Sequence, residues 1–206
     1  MNAQEAQNIK WSENIIIVDG DYIDHVAFDL IVNFERMLNR RIPAADFSQW
    51  AVNIALDGRL KPGNHETQVV LLHDKQNPKL ENFAPADYEK ELNGQAFKDP
   101  QLGEFIINAI ATDDEVAEKD NVLLDLLKTV LSHEEVKRIM LVPNAEDSHL
   151  ISTLRSTLRD ADDELKHITL FAMQPLEGGN FKQQILGYSL LNAMGISSSE
   201  IEQKIK

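Results

Sequence analysis

"NIIIVDGDYID", residues 14–24, decides how the rest of the chain is read. Ile15, Ile16, Ile17 and Val18 form an unbroken β-branched run, too short for a helix and ended by Asp19-Gly20. That pattern belongs to a strand buried on both faces, as in parallel sheets covered by helices. Asp19, Asp21 and Asp24 then fall within six positions. Asp-Gly-Asp suits a turn, Asp24 suits a helix N-cap, and acids at a strand end suit a metal or phosphoryl site. Asp19 points furthest toward function, because an uncompensated carboxylate at the end of a buried strand is costly.

Outward from this stretch the period changes from strand to helix. Val26, Phe28, Leu30, Ile31, Phe34, Met37 and Leu38 recur every three or four residues, which predicts an inward-facing helix over 24–40, stopped before Pro43. A second helix is expected over 44–59, with Phe47, Trp50, Ala51, Ile54 and Ala55 inward. "TQVVLLHD", 67–74, repeats the design of the first strand, and "VKRIMLVP", 136–143, and "HITLFAM", 167–173, read as further strands. Helices are predicted over 114–132, 145–160 and 181–194, with a short last one capped from Ser197–Ser199. Residues 75–112 read as an irregular excursion, with a short helix near 87–92 and a possible strand at 103–112. Apolar strands alternating with amphipathic helices predict an α/β fold. It is a mainly parallel sheet with helices on both faces, a three-layer Rossmann-like architecture. One domain spans 1–206, with a loose N-terminal arm at 1–13 and a helical extension over 181–206.

Composition narrows the function classes. Apolar residues are 43% and charged residues 26% of the chain, an ordinary soluble balance. No apolar run is long enough to span a membrane, and "MNAQEAQNIK" lacks the start of a secretory signal. With no cysteine there is no disulfide framework, so the expected location is cytoplasmic. The formal net charge of −14 opposes broad binding to nucleic-acid phosphates. The acidic runs at 112–115 and 160–164 read as solvated helix faces.

In open parallel sheets, ligands gather beyond the carboxyl ends of the strands. That places Asp19 and Asp21, His73 and Asp74, and Pro143–Asp147 on one rim. Carboxylates from different strand ends can hold Mg2+ or Mn2+ against a phosphate and activate a water. Asp19, Asp21 and Asp147 suit that role, with Asp120 or Asp125 contributing from the preceding helix. Each acid also has a structural use as a turn residue or helix cap. Convergence of the carboxylates would favour the metal, and separate local hydrogen bonds would oppose it. His73 beside Asp74 is a weak acid–base pair, and the histidines show no zinc spacing. No Walker A segment, Gly-x-Gly-x-x-Gly loop or Gly-x-Ser-x-Gly elbow occurs.

The order of parts resembles the NYN branch of the PIN-like nuclease fold. "IIIVDGDYID" matches its opening Asp-Gly-Asp-Asn type strand, "EKDNVLLDLLKTV" its acid-bearing helix, and "IMLVPNAEDSHLISTL" its late Ser-Gly-Asp-x-Asp-Phe type turn. The resemblance runs through 14–173 and implies a metal-dependent ribonuclease acting on single-stranded RNA. Asp19, Asp21 and Asp147 would be catalytic, and these three with Asp125 would hold Mg2+ or Mn2+. Departures from the pattern are Tyr22, Pro143, Asn144, Ala145 and Ser148. The opening motif also resembles haloacid dehalogenase-like phosphatases, with Asp19 as nucleophile and Asp21 as general acid. The chain as a whole looks like an uncharacterised bacterial family without assigned activity. A different class of expectation is a catalytically silent interaction module. For it, "ILGYSLLNAMG", 185–195, offers either core or a homo-oligomer face.

Overall fold

The structure is a computed structural model and describes residues 10–113, 116–161 and 165–205. Residues 1–9 of the expected arm, and parts of the acidic runs at 112–115 and 160–164, lie outside the described residues. The mainly parallel α/β architecture is as expected. The central strand β1 is Asn14–Asp19, all six residues buried. Ile16 and Val18 face one hydrophobic layer, and Ile15 and Ile17 face the other. This two-sided burial is why the run shows no alternation.

Helix α1 (Gly20–Leu38) begins directly after β1, so Asp19, and not Asp24, is its N-cap. It ends at Asn39, which adopts the left-handed conformation. Its inward stripe is therefore Tyr22, Ile23, Val26 and Ala27, continuing through Leu30, Ile31 and Phe34 to Leu38. Phe28 was expected inward but is 50% exposed, because it lies about 200° around the helix from Val26. A two-residue strand β2 (Ala45–Asp46) leads into α2 (Phe47–Asp57), which Asp46 caps. Then come β3 (His65–Asp74), β4 (Phe83–Ala84), a π turn at Tyr88–Leu92, β5 (Ala96–Asp99) and β6 (Gly103–Thr112). The stretch 75–112 thus carries more regular structure than its prolines and charges suggest.

The second half alternates cleanly: α3 (Val116–Ser132), β7 (Arg138–Val142), α4 (Ser148–Thr157) and β8 (His167–Ala172). The helix expected over 181–194 is divided. Lys182–Ile185 form an edge strand β9, and only Leu186–Ala193 are helical (α5). Helix α6 (Ser198–Ile205) follows. Among the described residues the main sheet has the order β5-β6-β3-β1-β7-β8-β9, with β5 antiparallel and the other pairings parallel. A second, two-stranded sheet pairs β2 with β4.

Helices α1, α2 and α5 pack with one layer, α3 and α4 with the other. The described end of the N-terminal arm is docked, not loose. Trp11 is buried in the second layer, and Ser12 donates to Glu66 at 2.6 Å. The chain leaves β1 for β3 and β6, then returns through α3 to β7 on the opposite side of β1. The strand order reverses there, which locates a crevice beyond the ends of β1 and β7.

Candidate functional site

Asp19 ends β1 beside Leu72 of β3, and its side chain turns back to cap α1, accepting from the Tyr22 N–H at 3.0 Å. Gly20 between the two acids is the first helical residue, not part of a turn. A Cβ at this position would overlap the hydroxyl of buried Tyr88 and lie 3.1 Å from the Leu72 carbonyl. Close packing against β3 therefore explains the glycine of the motif.

Asp21 accepts from the Asp74 N–H at 2.8 Å and from the Asn77 side-chain amide at 2.9 Å, tying α1 to the end of β3. Lys119, from the first turn of α3, joins the two acids. Its Nζ lies 2.9 Å from Asp19 Oδ1 and 2.6 Å from Asp21 Oδ2. The side chains of Asp19, Lys119 and Asp21 are 3%, 11% and 20% exposed. Sequence reading missed Lys119, although a signal was present. It stands four residues before Leu123 on the stripe that continues through Leu126, Leu127 and Val130. A lysine on an inward stripe needs a buried acid for a partner.

One ammonium shared by two carboxylates is held firmly charged. Burial opposes the Lys119 charge, but the charges and hydrogen bonds of Asp19 and Asp21 outweigh it and raise its pKa above that of an ordinary lysine. Asp19 receives only part of a counter-charge. Burial pushes its pKa above the usual carboxylate range, and Lys119 and the Tyr22 N–H pull back incompletely. Asp120, next along α3, is also raised, first by burial and then by the charges of Asp19 and Asp147.

Asp147 serves as the N-cap of α4, accepting from the N–H groups of His149 at 2.8 Å and Leu150 at 3.1 Å. Asp125 is 79% exposed and pairs with Lys128 at 3.6 Å. Asp24 accepts from the Asn82 N–H at 2.8 Å, fastening the 75–82 segment to α1, and burial raises its pKa. His73 is buried and stacked on Tyr88, ring centroids 3.8 Å apart. Its Nδ1 lies 2.9 Å from the Asp74 carbonyl and 3.1 Å from that of Asn77. Since both partners are acceptors, Nδ1 carries the proton.

The structure thus brings Asp19 and Asp21 together, couples Asp120 electrostatically to Asp19 and Asp147, and leaves Asp125 on an exposed face. What the first two share is an ammonium. Among the described residues no group of three or more His, Asp or Glu side chains is disposed to hold a metal.

Fold and site together define a doubly wound α/β domain whose central acids form an internal ion-paired cluster. The chain belongs to the family of unknown function DUF6621, which matches residues 8–201. Comparison with curated proteins and with solved structures gives no match. No described helix is long and apolar enough to cross a membrane.

Proposed function

We propose that this chain is a catalytically silent binding module, in which Asp19, Lys119 and Asp21 lock the end of the sheet into a fixed shape. The observation that carries this reading is the position of the Lys119 ammonium, within hydrogen-bond distance of both carboxylates. Phosphodiester hydrolysis by a metal-activated water needs carboxylates open to the ion. Phosphoryl transfer to a carboxylate needs a nucleophile that the substrate can reach. The burial of Asp19, and the engagement of its Oδ1 by both the capping N–H and the Lys119 ammonium, weigh against both roles. The net charge of −14 also favours a partner other than a polyanion.

Thermal unfolding with and without Mn2+ tests the reading, since selective binding to the native state raises Tm. The expected result is no shift, no cleavage of single-stranded RNA and no turnover of p-nitrophenyl phosphate. A Mn2+ shift lost in Asp19→Asn, together with RNA cleavage, would replace this reading with the metal-dependent ribonuclease that the NYN resemblance implies. Phosphate release lost in Asp19→Asn would support the phosphatase reading instead.

A further inference from the structure

A cleft of about 380 Å3 lies between the last turn of α4 and the loop that leads into β9. Helix α4 starts at the carboxyl rim with the Asp147 cap and runs back along the sheet, so the cleft stands toward the opposite end of the molecule from Asp19. Its described lining is Ser152, Arg155, Ser156, Arg159, Gly179 and Asn180, with no apolar side chain. The two arginines are four residues apart, as are the two serines, so each pair falls on one side of the helix end. No Asp or Glu stands among these residues, although the chain has 34, and Asp160, which follows Arg159, is not part of the lining.

Arg155 is the group that calls for a ligand. It is partly buried, and no hydrogen bond or ion pair engages its guanidinium among the described residues. Its Nε is enclosed and out of a ligand's reach, so the terminal Nη groups are what it offers to the cleft. Other partly buried cations are answered: Lys119 by Asp19 and Asp21, Arg40 by Glu200, and Arg138 by the Gly58 carbonyl at 2.6 Å. The dipole of α4 favours a cation in its last turn, which accounts for a positive residue there. It does not account for a guanidinium partly withdrawn from water with no anion beside it, which is costly. An oxyanion across the Nη groups would offset that cost through the paired hydrogen bonds that the arginine fork is shaped to make.

The facing wall is already in place. Asn180 Nδ2 donates to the Arg159 carbonyl at 2.6 Å and pins the loop to the end of α4. Gly178 and Gly179 take left-handed backbone, with φ of 72° and 103°, and a Cβ at Gly179 would stand 2.5 Å from the ring of buried Phe181. The loop therefore brings bare backbone to the cleft at Gly179. The Ser156 hydroxyl donates to the Ser152 carbonyl at 3.2 Å, whereas the exposed Ser152 hydroxyl has no partner among the described residues. Walls held before binding lower its ordering cost.

We propose that this cleft binds a small molecule through an oxyanion group, phosphate or carboxylate. The Arg155 Nη groups and the Arg159 guanidinium hold the anion, and the Ser152 hydroxyl donates to it. The volume is in the range of small-molecule sites, so the rest of the ligand has room beside the anion. The overall charge of −14 repels anions at long range, which favours a small ligand held by these local contacts over an extended polyanion. This site goes beyond the silent-module reading and does not depend on it, because none of its residues belongs to the Asp19, Lys119 and Asp21 cluster.

The test is an NMR titration of the full chain with inorganic phosphate, malonate and chloride, at constant ionic strength and with EDTA present. Phosphate or malonate is expected to give saturable shifts at the Gly179 and Asn180 amides, and chloride none. Whichever of the two binds tighter tells a phosphorylated ligand from a dicarboxylate. Arg155→Gln is expected to weaken binding roughly tenfold, the loss of a charge-assisted hydrogen-bond pair. Arg159→Gln, at an exposed position, is expected to weaken it by a smaller factor, and it carries the test alone if Arg155→Gln does not fold. The proposal is overturned if neither oxyanion gives a saturable shift, if chloride shifts the same amides equally, or if the variants that fold bind like the parent chain. EDTA keeps metal from bridging an anion to the acidic rim, so these outcomes are independent of the Mn2+ experiment.

Discussion

Gly20 and Lys119 turn the Asp-Gly-Asp motif into architecture. The glycine admits the Tyr88 hydroxyl against the first turn of α1, and Tyr88 is itself fully buried, with no room to retreat. Gly20→Ala is therefore expected to destabilise the fold by about 1–3 kcal/mol, the usual cost of overpacking. A urea midpoint lowered at unchanged slope would show it. Lys119→Met leaves Asp19 buried without its cation. Its expected cost is about 3–5 kcal/mol, against about 0–1 for a solvent-exposed pair. The combination of Lys119→Met with Asp19→Asn is expected to cost clearly less than the sum of the single changes, because it removes both members of the pair. Additive losses in that double-mutant cycle would mean that the two side chains do not act together.

Among the elements, helix α4 shows what an acid at the rim does for a helix. Asp147 satisfies two free N–H groups at its start, so Asp147→Ala is expected to cost about 0.5–2 kcal/mol, and Asp147→Asn, also a good cap, much less. Equal losses in the two variants, measured by chemical unfolding, would count against capping as the role. The strands with long apolar runs were legible in the sequence: β1, β3, β7 and β8 owe their β-branched and leucine content to burial in a parallel sheet. The short edge strands β5 and β9 were not. "AFKD" and "KQQI" carry no run and no clear alternation, and only pairing with β6 and β8 makes them strands. "KQQI" also runs straight into α5, which drew the expected helix back to residue 181. In α5, Leu186, Leu190, Ala193 and the adjoining Met194 are buried within the chain, so most of that apolar stretch is core, with Tyr188 left exposed. The rim was legible as a place but not as a charge balance. Asp19 and Asp21 were found from the strand end, whereas Lys119 comes from a helix about a hundred residues later in the chain. Only the sheet order brings the two regions together.

On the scale of the whole molecule, negative charge works against the native state. The net charge is −14, and burial raises Asp19, Asp24, Asp57 and Asp120 above the ordinary carboxylate range. A carboxyl raised in the native state binds its proton more tightly folded than unfolded. Its contribution is fully present below the unfolded value, about 4, and is lost as pH rises through the folded value. Asp87, Glu91, Glu135 and Glu200 are lowered, chiefly by hydrogen bonds, and act in the opposite sense. Glu91 and Glu135 are exposed and screened by solvent, Asp87 and Glu200 are part-buried, and the raised set is led by buried Asp19. Tm is therefore expected to rise as pH falls through the folded carboxyl values toward the unfolded value of about 4. Added salt is expected to raise Tm at the upper pH by screening self-repulsion. Asp120→Asn removes one of the raised acids, one pressed by both Asp19 and Asp147. Its Tm is expected to exceed that of the parent chain near pH 8, with the gap closing on acidification. Scanning calorimetry across pH and salt checks all three effects together. A parent Tm that falls steadily from pH 8 downward, with Asp120→Asn no more stable at any point, would mean that the buried carboxylates are fully compensated in the native molecule.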